Sequence, residues 1–263
     1  MKIENKTVNE ENALNECGDV QAKDCVFDSV SPLWYGRSAE LENCEITDNC
    51  KAPFWYAENI TVSKTKIHGT KAMRECKYAV VKDCDIVSSE FGWFMDGVRM
   101  TDCQIKGDYF MLQAKNIAAR RLDYKGKYFF QYANEAIVMD SKIDSVDAFW
   151  HCKNVTVENC VIIGERLGWF SKNLTFKNCT IIGTKPLCRC KNLHLEDCVM
   201  QNTDSAFYKS EVYAILREPI DSIKNPYKGI IRAPSVGEIV RDDKNAKAKV
   251  IIDPVLKRGA NRD

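Results

Sequence analysis

One motif returns along this chain at a nearly constant step, and that step limits the architecture more than any other feature. Cys25, Cys44, Thr65, Cys84, Cys103, Leu122, Ser141, Cys160, Cys179 and Cys198 are equivalent positions, each 19 residues after the last except for the 21 between Cys44 and Thr65. A unit this short cannot bury an apolar face alone, so its copies must stack on one another to build a shared core.

With the Cys position as zero, position two is large and apolar throughout, from Phe27, Ile46 and Ile67 to Ile162, Ile181 and Met200. Position four is Ser, Asp, Asn or Gly, as in Ser29, Asp48, Gly69, Gly164 and Gly183, the residues that turns select. A second apolar alternation follows, for example Val155-Thr156-Val157 and Leu174-Thr175-Phe176, preceded by Asn154 and Asn173. Runs of three to five residues with period two predict short strands, and no stretch holds a helical period. The expected fold is all-β: a single-stranded parallel β-helix of about ten 19-residue coils, each with three short strands and three corners. A leucine-rich repeat is excluded, because there is no Leu ladder and no room for a helix.

The repeat divides the chain into residues 1–24 as an N-terminal cap and incomplete coil, 25–216 as the β-helix, and 217–263 as a capping segment. In the last segment Gly237–Val240 and Lys249–Ile252 flank Asp242-Asp243-Lys244-Asn245, which predicts a hairpin that caps the last coil or folds back along it. Residues 257–263 read as a loose tail.

A net charge of +1 gives no global field toward nucleic acid or an anionic membrane, and neither partner is expected. The N-terminus lacks an apolar leader and no run has membrane-spanning length, so the expected location is cytoplasmic. The 13 Cys are then read as reduced thiols packed in the core. With no CxxC pair, and with His68, His151 and His194 in three different columns, neither metal nor cofactor is expected.

All five Trp fall in position nine: Trp34, Trp55, Trp93, Trp150 and Trp169. Position ten holds Tyr35, Tyr56, Glu75, Phe94, Gln113, Tyr132, His151, Phe170, Arg189 and Tyr208. Read as a strand, neighbouring columns face opposite ways. Glu75, His151 and Arg189 are costly to bury, which sets the Trp column inside and the Tyr/Phe column outside. Position eight (Leu33, Phe54, Met73, Met111, Phe130, Phe149 and Leu187) then joins the outer face. So apolar a strip calls for a cover, an oligomer partner or a ligand. Lys77, Lys115, Lys153, Lys172 and Lys191 at position twelve run beside it.

For catalysis, two carboxylates on one outward face are the minimum for glycoside hydrolysis. The weak candidates are Glu75 and Asp96, in adjacent coils, with Arg74 beside them. No HExxH, G-x-S-x-G or phosphate-binding loop occurs.

The repeated N/D-C-x-I-x-G step, the segment Ala52–Ile60 and the segment Asp221–Gly229 resemble an uncharacterised bacterial family of right-handed parallel β-helices, a domain of unknown function within the pectin-lyase-like superfamily. That resemblance implies the right-handed coil. Active members of the superfamily are often polysaccharide lyases or hydrolases, but Arg217-Glu218-Pro219 is not a lyase arginine loop. The expected function is non-catalytic binding of a saccharide-like ligand by Tyr35, Tyr56, Phe94, Tyr132, His151, Phe170, Arg189 and Tyr208. Two other readings stay open, a carbohydrate-active enzyme and a structural scaffold that forms a homo-oligomer through the aromatic face.

Overall fold

In the computed structural model, which describes residues 1–257, the two alternations of each repeat become two ladders of parallel strands. The chain divides into two units, Met1–Ala136 and Ile137 onward. In the first, long strands stack in the order Lys2–Glu4, Gly18–Lys23, Arg37–Glu42, Glu58–Ser63, Lys77–Lys82, Asp96–Thr101 and Lys115–Arg120. Short strands stack beside them, from Thr7–Val8 through Lys66–Ile67 to Asp123–Lys127. In the second unit Lys153–Glu158, Lys172–Lys177, Lys191–Gln201, Glu211–Leu216, Lys228–Ala233 and Lys249–Ile252 form the long ladder.

The expected all-β parallel β-helix is therefore present, with no α-helix among the described residues and about 13 coils instead of ten. The extra coils lie at the ends. Lys2–Glu4 already pairs in parallel with Gln21–Lys23, so the first coil starts within what reads as a cap. At the other end no hairpin forms. Val236–Val240 pairs in parallel with Ile220–Lys224, and Lys249–Ile252 pairs in parallel with Ile230–Ala233. Both segments continue the coil: Val236 follows its partner Ile220 by 16 residues and Lys249 follows Ile230 by 19, after the 17-residue step from Glu211 to Lys228 has shifted the register. The expected loose tail falls mostly outside the described residues.

The core is built as columns. Every position-zero residue, from Cys25 to Cys198, is buried, as is every position-two residue from Phe27 to Met200. Burying a leucine-sized side chain is worth roughly 1.5–3 kcal/mol, so columns repeated coil after coil dominate stability. Position four must let the next coil close in. A Cβ on Gly183, at φ +136°, would stand 2.1 Å from the carbonyl oxygen of Gly164. All 13 Cys are free thiols. The position-zero thiols donate to the carbonyl two residues back, as Cys160 does to Glu158 at 3.1 Å. Burial pushes Cys76 and Cys190 up to about 12, which keeps both protonated and inert. Among the described residues no three His, Cys, Asp or Glu side chains are grouped to hold a metal ion.

The third side of the coil is not a strand. Positions eight and ten both take left-handed backbone, as in Leu33 (φ 64°) and Tyr35 (φ 53°), or Phe149 (φ 57°) and His151 (φ 52°). Such conformations are uncommon away from glycine and persist where surrounding bonds fix them. Here the Leu33 N–H donates to the Ala13 carbonyl at 3.0 Å, and the Tyr35 N–H to the Trp55 carbonyl at 2.9 Å. With this backbone the two-residue alternation of a strand no longer holds. Position eight points inward: Leu33, Phe54, Met73, Met111, Phe130, Phe149 and Leu187 are all at 0% exposure. The expected outward placement of that column is wrong, and so is the inward placement of Trp.

Candidate functional site

The Trp column stands half-buried on the rim of this turn stack, and the Tyr/Phe column stands outside it. A recurring bond holds each indole. Trp34 Nε1 donates to the Ala52 carbonyl at 2.6 Å, Trp93 to Tyr109 at 2.8 Å, Trp150 to Arg166 at 3.0 Å and Trp169 to Lys185 at 2.7 Å. Each bond reaches the turn of the following coil, so tryptophan is the aromatic residue that can tie two coils while stacking on its neighbour. Trp34 and Trp55 lie 5.4 Å apart with planes 6° from parallel, and Trp150 and Trp169 lie 5.8 Å apart at 7°. Tyr35 stacks on Tyr56 at 4.9 Å and His151 on Phe170 at 4.8 Å. The two columns meet edge to face, at 85° for Trp34 and Tyr35. These separations belong to slipped stacks, in which a neighbour covers only part of each ring face. Tyr35, Phe94, Tyr132 and Phe170 accordingly keep 50%, 36%, 47% and 38% of their surface exposed.

The expected ligand-facing column is thus outward, with one correction. An extra residue between Gln201 and Asp204 shifts the last members by one. Arg189 donates its N–H to Tyr208 just as Phe170 does to Cys188, so Tyr208 belongs to the Trp column. Lys209 takes the place expected for Tyr208, and Phe207 drops into the buried column.

At two of the positions where a column lacks a ring, an arginine stands in. The Arg74 guanidinium lies 5.2 Å from the Trp55 ring, 5.8 Å from Trp93 and 5.3 Å from Phe94. Arg189 lies 5.6 Å from Phe170 and 5.8 Å from Tyr208. Arg74, a candidate for catalysis by sequence, is therefore a rung of the ladder, and its 3.4 Å contact occupies the Glu75 carboxylate. Asp96 has partners of its own, Asn116 Nδ2 at 2.6 Å and Lys115 Nζ at 3.1 Å. The Asn116 hydrogen bond first, and Lys115 after it, hold the Asp96 carboxyl below its ordinary value. An anion so held has no proton to donate near neutral pH.

The first residue of most long strands lies beside the aromatic column and carries charge. In the first unit these residues alternate in sign, Arg37, Glu58, Lys77, Asp96, Lys115, each in register with the next. Lys77 pairs with Glu58 at 3.2 Å. In the second unit the same ladder reads Lys153, Lys172, Lys191, and none of the three makes an ion pair among the described residues. The next carboxylate, Glu211, is committed to Lys228 at 2.8 Å.

Two features escaped sequence reading. Tyr109 stacks on Tyr128 at 4.4 Å, a short third column that its two-residue extent conceals. Beside Cys188, a member of the Trp column with no ring, is a cavity of about 220 Å³ lined by Trp169, Lys185, Cys188, Ser205, Tyr208 and Lys224. The signal was the interruption of the Trp column, masked by the shifted register that follows it.

No curated protein matches this sequence. Among solved structures the chain is similar to the A-module of the mannuronan C-5 epimerase AlgE4 of Azotobacter vinelandii, at 10% identity over 78% of this chain and 75% of that one, with TM-score 0.35. It is also similar to PfbA, a surface adhesin of Streptococcus pneumoniae, at 13% identity over 78% and 61%, TM-score 0.33. A GH87 alpha-1,3-glucanase catalytic domain in complex with tetrasaccharides gives 12% identity over 95% and 63%, TM-score 0.34. Likeness at that level says nothing of what this chain binds or does. The family model described as protein of unknown function, DUF3737, matches residues 1–253, and the chain belongs to that family.

Proposed function

We propose that this protein is a non-catalytic saccharide-binding β-helix that holds its ligand along the outward column of rings. The observation that supports this reading is the column itself: in the first unit Tyr35, Tyr56, Phe94 and Tyr132, with Glu75 and Gln113 among them, and in the second the stacked pair His151 and Phe170, all stay at least partly open to solvent. Soluble proteins seldom leave grouped aromatic surface exposed without a partner for it. Slipped rings offer partial faces against which the C–H face of a pyranose packs, and a repeat at strand spacing suits a polymer of such rings.

Affinity electrophoresis through gels containing neutral and acidic polysaccharides tests the reading. The protein should be retarded by at least one of them, and a Tyr35→Ala/Tyr56→Ala/Phe170→Ala variant should run freely. Reducing ends should not accumulate, because Glu75 and Asp96 are engaged as ion-pair partners. Free migration through every gel would end the proposal. Hydroxyl-radical protection of the rings in a particle of twice the monomer mass would replace it with the homo-oligomer reading.

A further inference from the structure

The cavity beside Cys188 has aromatic walls and no large side chain of the Trp column between them. Trp169 and Tyr208 flank Cys188 one coil to either side, so they are separated by two interstrand steps, roughly 9–10 Å. The Cys188 side chain is buried and short, and its thiol donates back to the Lys185 carbonyl at 3.4 Å. The comparable gap in the first unit, between Trp55 and Trp93, is occupied by the Arg74 guanidinium. The same interruption is therefore plugged in one unit and left as an opening of about 220 Å³ in the other.

The lining has a sign. Lys185 and Lys224 border the opening and no carboxylate does. Arg189 and Lys209 lie over the Tyr208 ring at 5.8 and 5.2 Å, and Lys209 is paired with Asp243 at 3.4 Å, so Arg189 is the cation there that adds to the sign. Lys153, Lys172 and Lys191 run past it as three like charges on neighbouring strands, an arrangement that is unfavourable until an anion neutralises it. Thickness separates the candidate ligands. A planar base sandwiched by two rings fills roughly 7 Å, whereas a puckered pyranose needs more and matches two strand steps better.

The geometry points to a subsite in the second unit for one residue of an acidic saccharide. Its sugar ring seats between Trp169 and Tyr208 over Cys188, and its carboxylate or sulfate meets Lys185 and Lys224. This rests on the saccharide-binding reading and adds to it a place and a charge class. The lysine ladder would carry further acidic residues of the same chain.

Isothermal titration with trigalacturonate, maltotriose and uridine monophosphate tests it, on the whole protein and two variants. Cys188→Arg copies the plug that the first unit already tolerates, and circular dichroism checks that it folds. Lys185→Gln/Lys224→Gln removes the charge and leaves the slot. Trigalacturonate should bind wild type, weaken with added salt, and lose roughly tenfold or more in affinity in each variant. Unchanged binding by a folded Cys188→Arg protein overturns the location. Equal affinity for maltotriose overturns the charge class, and tighter binding of the nucleotide overturns the sugar. If no trisaccharide binds while polysaccharide gels still retard the protein, the subsite falls and the aromatic-face reading stands. If the gels fail too, both fall.

Discussion

The two units apply one coil design to opposite electrostatic ends. In the first, the charged ladder at the long-strand edge alternates from Arg37 to Lys115 and pairs Lys77 with Glu58 and Lys115 with Asp96, while Arg74 plugs the gap among the indoles. In the second, the ladder repeats one sign and the gap at Cys188 stays open. Surface pairs contribute little singly, roughly 0–1 kcal/mol, so neither arrangement decides whether the coil folds. The difference therefore bears on recognition. With Lys77 paired to Glu58 and Lys115 to Asp96, the first ladder keeps one charge over for a partner, and the second has three.

The largest effects should come from what the units share. Phe54→Ala in the first and Phe149→Ala in the second each remove a fully buried ring and should cost about 3–5 kcal/mol in denaturant unfolding. Tyr35→Ala and Phe170→Ala, two positions along, should cost no more than about 1.5 kcal/mol, the scale of a lost aromatic stack. Equal costs at positions eight and ten would break the inward assignment in that unit.

Exchanging the plug comes next. Arg74→Cys should open a slot in the first unit and lose its stacking on three rings, a destabilisation of roughly 1–2 kcal/mol. Acrylamide should then quench the tryptophans more readily, and Cys188→Arg should protect them. Quenching that ignores both exchanges would mean the two gaps are not equivalent.

Smaller still is the ladder swap. Lys172→Glu converts three like charges into an alternating set and should stabilise the protein by a few tenths to about 1 kcal/mol at low salt, fading near 1 M. Asp96→Lys should do the reverse in the first unit. If neither shift depends on salt, the contrast between the ladders is not electrostatic.

The sequence made the coil legible because Cys, Ile and the turn residues at positions zero, two and four each have one environment. Buried columns tolerate little variety, so periodicity alone finds them. The rim was harder, since a left-handed Leu33 or Phe54 carries no compositional mark as a glycine would, and a strand alternation was the natural reading of Pro32-Leu33-Trp34-Tyr35-Gly36. Tyr208 was misplaced by one inserted residue that the surrounding strands absorb. The alternating ladder was fully visible as Arg37, Glu58, Lys77, Asp96, Lys115 once a column was counted for both signs. Reading only its lysines merged two regions that differ.

The finest contrast is the acid response of Asp96. Its carboxyl accepts from Asn116 and pairs with Lys115, and both favour the ionised form. A carboxyl held low in the folded state contributes its stability above the unfolded value of 3.8, and loses it as pH falls through the lower folded value. The contribution of this rung is therefore complete at neutral pH and disappears only below about pH 4. Carbon-detected NMR titration should give Asp96 a midpoint under 3.8, and Asn116→Ala should raise it more than Lys115→Ala, because the amide hydrogen bond is the larger cause. Salt should weaken the Lys115 share and leave the Asn116 share, since the first acts partly through charge and the second through a directed bond alone. The lysine rungs of the second unit offer no such step, so Lys172→Glu should create one where none exists. A midpoint at or above 3.8 for Asp96 would mean the first ladder is not closed, and the contrast between the units would lose its electrostatic half.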